Sequence, residues 1–375
     1  MTNPSQSEFL WFLQLSRDGE FIGTKTKPPR KPTLAYLQSL ISAAGEAGFT
    51  GLLTATNYHS EHENYTAAVA ALARSAPTDP ALLIAVRPGM FHPAMYAKML
   101  ATLQNLFPGR VRLNIVTGSS PAENAMYGDN EDHGKRYERT REFMQILRQL
   151  WTAPPPQSFR SDLYAFENAV LDPAPVQPIP LYFGGASPVA QEIAADLADV
   201  YLMWGEREDM LQGRLDQMRA LEEKTGRRLR YGLRTHVIVR ETEAEARAAA
   251  ERLISRVDPE VRAAFVASHA HVDGVGQKRQ IDMMKDLDAD LMVEPNLWAG
   301  VGMARSGVGV ALIGSPEQVA AKIRRYEDMG FSSFIFSGYP HEEEARRFGE
   351  LVMPLLKGAQ SEERAIHTDR VAPVA

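Results

Sequence analysis

Short apolar runs alternate along the chain with stretches whose apolar residues recur every three or four positions. The first run spans Phe9 to Leu15 and stops at Ser16, Asp18 and Gly19. Helical spacing follows from Leu34 to Ala47, closed by Gly48, and then a short strand from Leu52 to Ala55. The spacing predicts a helix over 63–74, a fully apolar strand over 81–86 and a helix over 93–106. Pro88-Gly89 and Pro108-Gly109 punctuate the last two. A strand over 111–116 runs into Thr117-Gly118, and a long amphipathic helix covers 135–151. Further strands are predicted at 181–183, 200–204, 231–239 and 333–336. Further helices are predicted at 187–197, 210–225, 243–254, 317–329 and 342–356. Thr242 and Ser315 stand where a side-chain oxygen caps a helix start, with Pro316 at the first helical position.

Short apolar strands, each leading to a helix, imply a parallel sheet covered on both faces. Eight such units predict an α/β fold, the closed (β/α)8 TIM barrel. An open doubly wound sheet would carry a glycine-rich loop after its first strand, and LSRDGEFIG is not one. Residues 1–357 therefore read as one barrel domain. Residues 255–312 break the rhythm and read as an insertion after the seventh strand, part of it a mobile lid on the catalytic face. Residues 358–375 read as a polar tail, frayed or used in subunit contacts.

Composition narrows the chemistry. The 375 residues carry a net charge of -6, which gives no electrostatic case for nucleic acid or an anionic membrane. The chain has no cysteine, which excludes disulfides, thiolate nucleophiles and Cys-ligated zinc or iron–sulfur clusters. MTNPSQSEFLWFLQL lacks the basic start and long apolar core of a signal peptide, and no apolar run suffices to span a bilayer. The expected location is the cytoplasm.

Barrel enzymes place their sites at the C-terminal ends of the strands. Those positions hold Arg87, Asn114, Thr117 and Ser119, then Gly184, Gly185, Ala186 and Ser187, then Trp204, Arg234, His236, Tyr339 and His341. The set is rich in donors and lacks the paired carboxylates of a glycosidase. Ser187-Pro188 opens a helix after two glycines, which makes either an anion site or a plain helix cap. Arg234, His236 and Arg305 can bind an anion or move protons, or can be held in structural ion pairs. Arg240, beyond its strand, reads as a structural ion pair. Asn57 to Glu63 reads as a substrate-lining loop or a solvated helix start, and without an HExxH spacing it makes a poor metal site.

The stretches FLWFLQLSRDGEFIG, LNIVTGSSPAE, HGKRYERTREF, LYFGGASPVAQEIAADLADVYLMWGE, GLRTHVIVRETEAEA, EPNLWAGVGMARSGVG and FSGYPHEEEARRFGE keep one order from residue 9 to about 350. In these the chain resembles the bacterial luciferase-like flavin-dependent monooxygenases, and among them the alkanesulfonate monooxygenases. The resemblance implies a TIM barrel with an insertion. It implies reduced FMN as a diffusible co-substrate, O2, a separate NAD(P)H-dependent flavin reductase and a homo-oligomer, dimer or tetramer. By position, Thr117, Ser119, Tyr137, Gly185, Ala186 and Ser187 would meet the FMN phosphate. Arg234, His236, Arg305, Tyr339 and His341 would be catalytic, with Arg305 arriving on the insertion. Asn57, His59, Trp204, Arg234 and Arg305 would meet the substrate.

The implied reaction releases sulfite from a sulfonate and leaves an aldehyde. Two loops depart from the family pattern. TATNYHSEHENY replaces a segment that carries a cysteine in relatives, and Lys25, Lys27 and Arg30 add positive charge to the first loop. Added donors and acceptors favour a polar sulfonate such as sulfoquinovose over a plain alkyl chain. A simple alkanesulfonate or sulfone monooxygenase, an F420-dependent oxidoreductase on the same barrel, and a non-catalytic flavin or sulfonate binder are the competing readings.

Overall fold

A computed structural model describes residues 7–268, 274–285 and 287–357. Eight parallel strands close into a barrel: β1 (Glu8–Phe12), β2 (Gly51–Thr54), β3 (Ala81–Val86), β4 (Val111–Ile115), β7 (Leu181–Gly184), β8 (Val200–Trp204), β9 (Arg230–Arg234) and β14 (Phe331–Ile335). Between β4 and β7 a hairpin, β5 (Gln157–Arg160) and β6 (Ala165–Ala169), interrupts the alternation. The outer ring contains α1 (Leu34–Glu46), α2 (Asn64–Leu72), α3 (Pro93–Leu106), α5 (His133–Thr152), α6 (Pro188–Leu197), α7 (Glu208–Thr225), α11 (Pro316–Met329) and α12 (His341–Leu351). A short α4 (Pro121–Met126) follows β4. The closed parallel barrel is the fold expected from the sequence.

Strand composition explains the closure. All six residues of β3, ALLIAV, are buried, because one face meets helices and the other the barrel interior. Leu10, Phe12, Leu53, Leu83, Tyr182, Val200 and Ile335 form the inner layer. At the N-terminal end Glu8 is buried against Arg112 at 2.9 Å and Arg230 at 3.2 Å, with Tyr182 and Ser333 donating to it. Burial would raise this carboxyl, but the two arginines and the hydroxyls hold it below its ordinary value. Paired charge at this face serves stability, since chemistry sits at the opposite end.

The seventh strand differs from the expectation. The run 231–239 is not one strand: it leaves the barrel after Arg234 and restarts as β10 (His236–Val239) in a second sheet. Thr235 makes the break, its hydroxyl bonded to the carbonyl of Val310 at 3.0 Å. The second sheet runs β10–β13–β12–β11, with β11 (Met292–Glu294), β12 (Leu297–Trp298) and β13 (Ala311–Gly314). Helix α8 (Glu243–Ile254) joins this unit, and α9 (Pro259–Ser268) and α10 (Val275–Met283) follow it. The stretch after Ile254 is thus largely structured where it is described. Thr242 and Ser315 cap α8 and α11 in full capping boxes. The tail beyond residue 357 lies outside the described residues. Among the described residues no helix is long and apolar enough to cross a membrane.

Candidate active site

At the C-terminal end of the barrel lies a cavity of about 210 Å³. Leu53, Leu202 and Ile335 give it an apolar floor, and Thr117, Ser119, Tyr137, Gly185 and Ala186 form a polar wall. Trp204 and Arg234 border it, and Gly274 to Gln277 close it from the insertion. Seven of the residues expected from sequence therefore share one cavity. Ser187 does not line it: its Oγ accepts the Ala190 N–H at 3.3 Å, so the side chain caps α6. The turn before it needs glycine. A Cβ on Gly185 would lie 2.5 Å from the Ala190 Cβ, and one on Gly184 2.8 Å from the Leu202 carbonyl. The glycine turn just before α6 thus borders the cavity, close to the helix N-terminus where anion sites form.

Arg234 is the wall's buried cation. Its guanidinium donates to Ser337 Oγ at 2.8 Å and to the carbonyls of Thr235 and Ile335, and it lies over the Phe12 ring at 5.2 Å. Among the described residues no carboxylate forms an ion pair with it. Burial first, and then the charge of Arg305, push it down to about 9. An anion in the cavity would relieve both penalties.

Ser337 links Arg234 to His236, with its Oγ 2.7 Å from the His236 Nδ1. Arginine only donates, so the serine oxygen accepts from it and shares a second hydrogen bond with Nδ1. The other ring nitrogen, Nε2, is buried, and the backbone of Val308 is the ring's further polar neighbour. Burial, then Arg234, Arg305 and His341, hold His236 well below its ordinary 6.5. It is neutral at pH 7. Tyr339 stacks on His236 with ring centroids 5.7 Å apart, stands edge-on to His341 at 4.8 Å, and accepts from Arg305. The five residues expected to be catalytic are thus neighbours, but of them only Arg234 lines the cavity, and His236 and Tyr339 line a separate one. His236 begins a strand of the second sheet rather than lying within a barrel strand.

The neutral state of His236 has a consequence for acid stability. The unfolded chain protonates this residue below about pH 6.5 while the folded chain does not, so stability falls as pH drops through that range. From pH 7 to pH 5 the native protein should lose more stability than a His236→Gln variant in urea unfolding. Parallel losses in the two proteins would exclude a buried neutral imidazole.

Three site residues escaped the sequence reading. Asp18 is fully buried beneath His341, accepting from its Nδ1 at 2.9 Å and its backbone N–H at 2.8 Å, and from Tyr36 Oη at 2.5 Å. Burial would raise this carboxyl, but His341 and Tyr36 outweigh it and hold it low. Asp18 reads in sequence only as a strand-ending turn residue. Ser337 sits directly after the last strand, a position that could have flagged it. Gln277 lies in the insertion, where no periodic pattern drew attention. Asn57 and His59 are exposed and outside the cavity wall; Asn57 Oδ1 accepts the His59 N–H at 2.8 Å within its own turn. Arg240 pairs with Glu344 at 3.1 Å, as an ion-pair role requires.

The family model for luciferase-like monooxygenases matches residues 8–333. This chain belongs to the luciferase-like monooxygenase family. Solved structures agree in fold at low identity. A riboflavin lyase, seen with modified FMN and riboflavin, has TM-score 0.78 at 17% identity, covering 95% of this chain and 92% of its own. The EDTA monooxygenase from Chelativorans sp. BNC1 has TM-score 0.73 at 16% identity, covering 95% and 94%. An F420-dependent secondary alcohol dehydrogenase, seen with an F420–acetone adduct, has TM-score 0.67 at 17% identity, covering 94% and 99%. The shared barrel thus serves both flavin and F420 enzymes.

Proposed function

We propose that this chain is a monooxygenase that uses reduced FMN and O2 to release sulfite from an organosulfonate, leaving an aldehyde. The observation that carries the reading is Arg234, a buried guanidinium on the cavity wall with no carboxylate partner among the described residues. A sulfonate supplies the missing charge and three oxygens for a guanidinium to grip. The donor wall beside it fits FMN: Gly185 and Ala186 border the cavity at the start of α6, with Thr117, Ser119 and Tyr137 around them. The apolar floor fits a flat ring.

Reduced FMN, when bound, would supply the two electrons that activate O2. The chain's own groups do the rest. Arg234 and Arg305 neutralise the sulfonate and hold its sulfur in place. His236, tied to Arg234 through Ser337, is the proposed proton-transfer group. Asp18 accepts the His341 Nδ1–H and so fixes the ring that packs edge-on to Tyr339. Packing of α10 over the cavity limits water. The reaction balances as sulfonate, O2 and reduced FMN giving aldehyde, bisulfite, water and oxidised FMN.

A separate NAD(P)H-dependent reductase would deliver the flavin, and the working protein would be a homo-oligomer. A sugar sulfonate such as sulfoquinovose over an alkyl chain is proposed on the polar sequence of the loop at Asn57 and His59, whose side chains stand outside the cavity wall. Oxygen uptake tests the reading. Uptake should require reduced FMN and rise when a sulfonate is added, most with sulfoquinovose. A larger rise with octanesulfonate would keep the reaction and remove the sugar. Binding of reduced F420 with no response to reduced FMN would replace it with hydride transfer.

A further inference from the structure

Two glutamines on α10 look alike in sequence and differ in what holds them. Gln280 is 1% exposed and has both ends of its amide engaged. Its Oε1 accepts the Gly309 N–H at 2.9 Å, and its Nε2 donates to the Gly205 carbonyl at 2.9 Å. Gln277, one turn earlier, is 4% exposed and has one end engaged. Its Oε1 accepts the Gly307 N–H at 2.8 Å. Its Nε2 donates to no group among the described residues, and Gln277 lines the cavity. An amide donor on the cavity wall without a protein acceptor is available to whatever acceptor fills the cavity.

The backbone around Gln277 points the same way. Gly274 caps α10 with no side-chain hydrogen bond, and Val275 and Gly276 line the cavity beside it. Gly274 packs directly on Ser119, where a Cβ would come within 2.6 Å of the Ser119 Cβ. The first turn of α10 therefore borders the end of the cavity that also holds Thr117, Ser119, Gly185 and Ala186. The N–H groups of a helix's first turn lack intrahelical partners and favour an anion.

We propose that Gln277 is a ligand-binding residue whose Nε2 donates to a phosphate oxygen of the bound flavin. This inference rests on the reduced-FMN reading. The same side chain grips Gly307, two residues from Arg305. Phosphate binding and the placement of Arg305 therefore run through one amide, and the insertion supplies a donor to the flavin as well as a cation to the substrate.

The test is anaerobic titration with reduced FMN and reduced riboflavin, which differ in the phosphate. Native protein, Gln277→Ala, Gln277→Glu and Gln280→Ala are compared, with thermal unfolding to verify folding. Gln277→Ala should weaken FMN binding roughly tenfold, the scale of a charge-assisted hydrogen bond, and leave riboflavin binding within about twofold. Gln277→Glu should weaken FMN further, because a carboxylate would face the phosphate. Gln280→Ala, which removes the neighbouring strap and no cavity group, should keep the native preference for FMN over riboflavin. An unchanged preference in Gln277→Ala, or an equal loss in Gln280→Ala, would overturn the inference and leave the flavin reading intact. Native protein that binds neither flavin would overturn both.

Discussion

An Arg234→Met variant is expected to lose sulfonate turnover while keeping its stability. Arg234 is buried without a carboxylate partner among the described residues, and Arg305 repels it. Replacing an unpaired buried charge by an apolar side chain of similar length removes the penalty of holding that charge out of water. Its hydrogen bonds to Ser337, Thr235 and Ile335 offset part of that gain. The melting temperature should therefore hold or rise. Catalysis should fall by roughly 10²–10³-fold in kcat/KM, as when a charge-stabilising donor is removed. Arg234→Lys keeps the charge without the fork and should recover only part of the loss. A large loss of stability together with activity would mark Arg234 as structural.

Gly185→Val carries the second large effect. The new Cβ would sit 2.5 Å from the Ala190 Cβ, far inside ordinary contact, so the first turn of α6 must move. Ala186 and the start of α6 move with it. The turn would lose its contacts to the phosphate, and reduced FMN binding should fall by roughly 10–100-fold, the scale of one hydrogen bond to a charged group. Overpacking should cost about 1–3 kcal/mol of stability. Flavin titration and urea unfolding read the two separately. A variant with native FMN affinity would place the phosphate elsewhere.

The barrel was legible because its signals are local. Strand β3 is apolar on both faces, and the ends of α3 and α8 are set by Pro93, Phe107, Thr242 and Ser255 within a few residues. The seventh strand misled because Tyr231 to Val239 is uniformly extended and mostly buried, while the change of sheet at Thr235 depends on Val310, far along the chain. The hairpin β5–β6 gave no signal because its residues are exposed or half-buried and follow no clean alternation.

The site followed the same division. Thr117, Gly185, Trp204 and Arg234 could be found because a barrel puts chemistry at strand ends. Asp18 could not, because its partner His341 lies 323 positions away and no local pattern joins them. Ser187 shows the limit of the helix-start signal: its hydroxyl caps α6, and the cavity meets the glycine turn before it.

The most direct test of the central claim is sulfite release. Purified protein, FMN, a flavin reductase, NADH and O2 would be challenged with sulfoquinovose and with alkanesulfonates from methane- to octanesulfonate. The account predicts sulfite in step with flavin-dependent substrate loss, and its near absence in Arg234→Met. Hydrogen peroxide without sulfite from every sulfonate would contradict it, leaving a luciferase-like barrel whose buried arginine awaits a different anion.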